Sequence, residues 1–195
     1  MRAISRALWG VAVLVAATAS HAAPEEFRID PDHTHVHWEI RHFGTSTIRG
    51  RFDAIVGGVT LDRVAHTGSA SFTIDTTKVS TGFAPFDGVV RGSNVLASEA
   101  NPSAYFVASR FAFDGDKLAS VTGEFTLRGV SNGLTLTALR FSCRTEPNPA
   151  REICGGDFEG DLDRGSYGIN YATPFVSNSV RVLVQIEAQR PAVSP

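Results

Sequence analysis

A surplus of positive charge is the first thing this sequence lacks. Lysine and arginine number 18 against 20 aspartate and glutamate, for a formal net charge of -2. Polyphosphate backbones are held by clustered cations, so nucleic acid is disfavoured as a partner. Catalytic signatures are missing too. No phosphate loop, dinucleotide fingerprint or nucleophile elbow occurs, and "GTSTIRG" reads as a turn between strands. There is no heptad run, internal repeat or low-complexity tract. Beyond residue 22, no apolar run approaches the about 20 residues that a membrane-spanning helix needs. Cysteine is scarce, at two, and methionine scarcer, at one. What remains, with 43% hydrophobic and 19% charged residues in a chain of 195, is the composition of one globular domain.

The first segment, "MRAISRALWGVAVLVAATASHAA", stands apart. Arg2 and Arg6 precede an apolar run from Ala7 to Ala17, and Ser20 and Ala22 fit the small-residue positions before a signal-peptidase cut. Residues 1–22 therefore read as a cleaved signal peptide and 23–195 as a single exported domain. A bacterial periplasm is the expected compartment, with full secretion as the alternative. The two cysteines agree with that route. Cys143 and Cys154 flank "CRTEPNPAREIC", whose spacing fits neither a zinc knuckle nor a C-x-x-C motif, so a disulfide is expected. Closing that loop stabilises the fold by roughly 3 kcal/mol in the chain-entropy model. Its prolines and charges predict an exposed connection.

The dominant period of the rest is two. "HVHWEIRHF" sets Val36, Trp38 and Ile40 on one face and His35, His37, Glu39 and Arg41 on the other. "SASFTID", "GEFTLRG", "GLTLTALRF" and "SVRVLVQIEAQ" alternate or are β-rich in the same way, which marks half-buried antiparallel strands. Turn signals separate them at Gly57–Gly58, Asp114–Asp116 and Ser131–Gly133, the last two read as hairpins. "APFDGVVRGSNVLASEANPSA" reads otherwise, as a short helical segment near Pro85–Ala97. Roughly eight to ten strands in this pattern predict a sandwich or barrel. The 13 phenylalanines suit either a packed interior or the wall of a ligand cavity.

"IDPDHTHVHWEIRHFGTSTIRGRFDAIVGGVTLD" resembles the opening of the YceI-like family, the polyisoprenoid-binding periplasmic proteins. The matching positions are Ile29–Asp30, His33, Val36–Trp38–Ile40, His42–Gly44 and Ile48–Gly50–Phe52. "TIDTTKVSTG", "GEFTLRGVSNGLTL", "DRGSYGIN" and the strand Val180–Ala188 follow in the same order. The resemblance implies an all-β fold, a lipocalin- or streptavidin-like antiparallel β-barrel of about eight strands. It implies an apolar cavity for an isoprenoid chain such as a polyprenyl lipid or quinone tail, no catalytic residues, and homodimers among the relatives. Two departures stand out. The family's aromatic turn after the helical stretch is Asn94–Val95–Leu96–Ala97 here, with Arg91 in the place of an arginine, and the Cys143–Cys154 stretch is an insertion.

The cavity candidates on this reading are Val36, Trp38, Ile40, His42, Phe52, Phe72, Phe111, Phe125 and Tyr167, with Arg91 near the mouth. His42 falls on the inward parity, where it bonds a backbone carbonyl or meets a polar ligand head. His33, His35 and His37 share the outward face, about 7 Å apart. They read as a solvated strand face, or as low-ranked metal candidates needing a ligand from a neighbouring strand. Asp157, Glu159, Asp161 and Asp163 likewise read as an outer strand face rather than a calcium loop. The expected function is non-catalytic: to sequester or carry an isoprenoid-type lipid, with no cofactor. One alternative is periplasmic metal binding by His33, His35 and His37. Another is an interaction protein with a filled core, partnering a membrane electron carrier.

Overall fold

The structure, a computed structural model, describes residues 23–147 and 150–190. The expected signal peptide, residues 1–22, lies outside the described residues. Among the described residues eleven strands and one α-helix follow in order: β1 Glu25–Ile29, β2 His35–His42, β3 Ser46–Phe52, β4 Ile55–Asp62, β5 Thr67–Asp75, β6 Val79–Ser80, α1 Ala84–Arg91, β7 Ser103–Asp114, β8 Lys117–Leu127, β9 Val130–Pro147, β10 Ala150–Asp163 and β11 Val176–Arg190. Every strand pairing is antiparallel. The order β1-β4-β5-β7-β8-β9-β10-β11 closes through a second pairing of β11 with β1, at Arg28–Gln189 and Ile29–Ala188. The result is the closed eight-stranded barrel that the family resemblance implies, one of the two architectures the alternation allows.

The three remaining strands continue three of the eight lanes. β11 pairs with β1 at Ala188–Gln189 and with β2 from Val176 to Gln185, so β2 prolongs the lane of β1. β3 prolongs β4 across Asp53–Ala54, and β6 prolongs β5 across a 3₁₀ turn at Thr76–Lys78. The lanes lengthen towards one end of the barrel. At that end α1 and the segment Arg164–Phe175 sit across the opening, whereas the other end is finished by hairpin turns.

Local sequence explains most of these elements. On β7 the residues Ala104, Phe106 and Ala108 are buried while Tyr105 and Val107 face out. A register shift between Ala108 and Arg110 then flips the parity, so that Phe111 and Phe113 pack inward. Gly50 stands opposite Trp38, and a Cβ there would lie 2.3 Å from the indole. The missing side chain is what lets Trp38 lie flat across the sheet. α1 starts with Pro85 in its first turn and ends where Gly92 turns extended. The helix thus covers only the first part of the expected Pro85–Ala97 stretch, and turns complete it.

Three further expectations need correcting. Gly57–Gly58 is not a turn but the interior of β4, where a Cβ on Gly57 would meet the Ser71 carbonyl oxygen at 2.1 Å. Close approach of backbone to backbone, rather than chain reversal, explains that glycine. The β8–β9 reversal lies at Arg128–Gly129, with φ of 53° and 75°, and Ser131–Gly133 belongs to β9. Two successive positive φ values are what a two-residue hairpin turn requires. The disulfide forms as expected, but Cys143 and Cys154 are directly opposed on β9 and β10, their Cα atoms 4.0 Å apart. It is a rung between long strands and not the neck of an exposed loop.

Candidate functional site

The barrel interior is divided. In the half near the hairpin turns, Phe27, Leu61, Leu118, Val121, Phe158 and their neighbours form a packed core around a void of about 60 Å³. The other half encloses a cavity of about 530 Å³. Phe72, Phe106, Leu136, Val184 and Ile186 border both spaces, and so form a shelf between them.

The cavity wall is built by alternation. β2 contributes Val36, Trp38, Ile40 and His42, β3 Ile48 and Phe52, β8 Phe125 and Leu127, and β11 Val180, Val182, Val184 and Ile186. α1 lays Phe86, Val89 and Val90 over the opening, with Val95 and Leu96 behind them. Seven of the sequence candidates, Val36, Trp38, Ile40, His42, Phe52, Phe72 and Phe125, therefore come together on one surface.

Three do not. Phe111 lines the small void below the shelf, because β7 has passed to the packed half by that point. Tyr167 lies on the 3₁₀ turn Arg164–Tyr167, fully buried behind the wall, and meets Phe125 edge-on at 5.8 Å between ring centres. Burial pushes its phenol pKa up, offset in part by a hydrogen bond with Asn132. Arg91, at the end of α1, is not part of the lining.

The cation inside the site is Arg164, which was not among the candidates. It is 5% exposed and lines the cavity. All five of its N–H groups are used. Nε donates to the Ser177 carbonyl at 2.7 Å, Nη1 to those of Ile169 (3.1 Å) and Tyr171 (2.8 Å), and Nη2 to the Val176 carbonyl (2.9 Å) and Thr173 Oγ1 (3.1 Å). Desolvation lowers its pKa, against the pull of Asp163. Guanidinium is basic enough to keep its charge there. The signal was present in the sequence: the parity that turns Asp157, Glu159, Asp161 and Asp163 outward turns Phe158, Gly160, Leu162 and Arg164 inward. Two of the outward acids meet arginines, Asp157 paired to Arg140 and Glu159 to Arg181.

The three outward histidines do not converge. His33 Nδ1 contacts Asp30 at 3.1 Å, and that hydrogen bond raises its pKa. His35 Nδ1 lies 3.0 Å from Asp53. His37 is 6.2 Å from His35 between ring centres, and burial, followed by His35 and Arg51, lowers its pKa. Among the described residues the one group with metal-donor proximity is Cys143, Glu152 and Cys154. Its two sulfurs are bonded to each other, which removes the thiolates a metal would use.

Polar groups in the cavity are few and mostly committed. The Thr34 hydroxyl donates to the Glu187 carbonyl and accepts from the Glu187 N–H, both at 3.2 Å. His42 stands at the rim, its ring edge-on to Phe43 at 4.6 Å. A largely apolar chamber open at one end, with a histidine and a tyrosine at its mouth, can take up a long apolar molecule and leave a polar head outside.

Residues 27–188 match the YceI-like domain family. A UPF0312 protein of Pseudomonas aeruginosa is 30% identical over 181 residues, covering 89% of this chain and 91% of its own length. Among solved structures, Burkholderia cenocepacia BcnA superposes with a TM-score of 0.66 at 22% identity, covering 82% of this chain and 98% of that one. A polyisoprenoid binding domain from Saccharophagus degradans superposes with a TM-score of 0.59 at 16% identity, covering 85% and 98%.

Proposed function

This chain belongs to the YceI-like family, and on that premise we propose that it binds an isoprenoid-type lipid, a polyprenyl lipid or quinone tail, in the upper half of its barrel. The observation that carries the reading is the apolar cavity of about 530 Å³, walled by eight lanes and roofed by α1. A packed core would leave no such space, so the alternative of a filled barrel has no support. Burying apolar surface yields roughly 25 cal/mol per Å², so a prenyl tail enclosed in such a wall is held without covalent chemistry. The likeness to the polyisoprenoid binding domain of Saccharophagus degradans supports the same chemical class.

The protein's role on this reading is to sequester or carry, without catalysis. Thr34 and Arg164 are tied to backbone groups, and no nucleophile stands beside a base in the lining. Export to the periplasm fits the leader-like first segment and the disulfide between Cys143 and Cys154. Metal binding by His33, His35 and His37 is not supported, since His33 is taken up by Asp30 and His35 by Asp53, and the three do not gather as metal donors among the described residues.

Native mass spectrometry of the exported protein, followed by organic extraction, tests the proposal. A stoichiometric prenyl lipid or quinone is expected. Protein that carries none, and takes up neither a prenyl quinone nor a polyprenol on incubation, would overturn it.

A further inference from the structure

The cavity opens through a rim that is itself apolar. Phe43, Val89 and Tyr171 line the cavity and are also 56%, 45% and 52% exposed. Phe175, 61% exposed, stacks on Phe43 with ring centres 5.2 Å apart and accepts the Phe43 N–H at its carbonyl. Phe83, 64% exposed, caps the start of α1. Three phenylalanines, a tyrosine and a valine thus face water around one opening. Among the described residues at the opposite end the large exposed apolar side chain is Val64, in the β4–β5 turn, while Val56, Tyr105, Val107 and Leu139 lie exposed along the wall. A concentration of this kind at one pole, continuous with a lipid cavity, marks a surface that is covered in use.

Charge indicates what covers it. On the barrel wall most arginines are neutralised, Arg49 by Glu39, and Arg63 and Arg190 each by Glu25 and Glu152, although Arg28 and Arg110 are exposed without such a partner among the described residues. Among the described residues, Arg41, Lys78, Arg91 and Arg128 at the mouth end have no carboxylate in ion-pair contact. Acids at that end bond backbone N–H groups instead, Asp163 while itself exposed. Asp75 accepts from the Thr77 N–H, Asp87 from that of Thr81 and Asp163 from that of Gly165, while Glu99 stays exposed. Exposed aromatics among unneutralised cations match the interface of an anionic bilayer, where rings enter the headgroup layer and cations meet lipid phosphates.

We propose that the mouth end of the barrel docks on an anionic lipid bilayer, so that the cavity opens directly onto the membrane. This rests on the lipid-binding reading above and adds where the lipid is collected or released. The ring of side chains is too small to span a bilayer, and it gives reversible contact instead.

The test is co-sedimentation of the full exported protein with vesicles of phosphatidylglycerol and phosphatidylethanolamine, and with vesicles of phosphatidylcholine alone. Phe83→Ser with Phe175→Ser removes two rings that do not line the cavity. Arg41→Glu with Arg91→Glu reverses two of the cations. Circular dichroism and the mass of any retained lipid are read on every sample. The protein is expected to bind the anionic vesicles more tightly than the neutral ones. The phenylalanine pair should lose about tenfold or more on both vesicle types. The arginine pair should lose about tenfold on the anionic vesicles alone. Folded protein that ignores both vesicle types, or variants that sediment like the parent, would overturn the docking proposal. If such protein still holds its isoprenoid, only docking fails. If it docks but neither carries nor accepts an isoprenoid, the function proposed above fails instead.

Discussion

Gly50 and Trp38 show how much one absent side chain decides. An added methyl at Gly50 would lie within 2.3 Å of the indole, so the ring must move. Gly50→Ala is therefore expected to cost about 1–3 kcal/mol, read from the urea midpoint. Trp38 is the only tryptophan beyond residue 22, so its emission should shift in the same variant. In the unsubstituted protein it should shift again when a prenyl quinone is titrated in. Arg164 makes the opposite case, a side chain whose presence is indispensable. Arg164→Met would strand carbonyls of the Ile169–Ser177 segment, and a loss of about 3 kcal/mol or more is expected in thermal melts. Arg164→Lys should rescue little, because one ammonium cannot reach five acceptors in a fork. Alternation alone turns Val36, Trp38, Ile40 and His42 to one face, the face that lines the cavity, since a strand leaves no choice once one face is apolar. The same alternation marks Arg164 as inward. An inward arginine passes as a strand-end charge unless the loop that satisfies it is known, and that loop lies up to 13 residues away.

Among the elements, strands with local alternation were legible and their interruptions were not. The breaks between β1 and β2, and between β3 and β4, are fixed by which neighbour each half pairs with, a non-local matter. Gly57–Gly58 looked like a turn for the same reason, because its purpose is contact with Ser71 across the sheet. Phe111 reads as cavity wall because the apolar parity it shares with Phe113 points inward and says nothing of height along the barrel. The β9–β10 rung belongs to this scale as well. Cys143 and Cys154 lie in or beside the packed half, and Cys154 borders the void below the shelf. Replacing both by serine is expected to cost about 2–4 kcal/mol in urea. Prenyl lipid affinity should be almost unchanged, because the shelf separates the rung from the cavity. A variant that lost both together would show that the two halves are coupled.

For the whole molecule, whether the interior is a core or a chamber depends on summed side-chain volume against barrel circumference, which no periodicity encodes. Thirteen phenylalanines fit either outcome. The structure divides them, filling one half and leaving about 530 Å³ in the other. A protein so divided should be the more stable when loaded. At a free lipid concentration a hundredfold above the dissociation constant, binding adds about 2.7 kcal/mol, so extraction of the lipid should lower the melting temperature. The shelf of Phe72, Phe106, Leu136, Val184 and Ile186 has a kinetic corollary. It makes the chamber a blind alley, entered and left by one door. An occupant goes in tail first and comes out head first, and a successor cannot push it through from behind. Turnover of cargo is then paced by departure alone, and the exchange rate should stay flat however much fresh lipid waits outside.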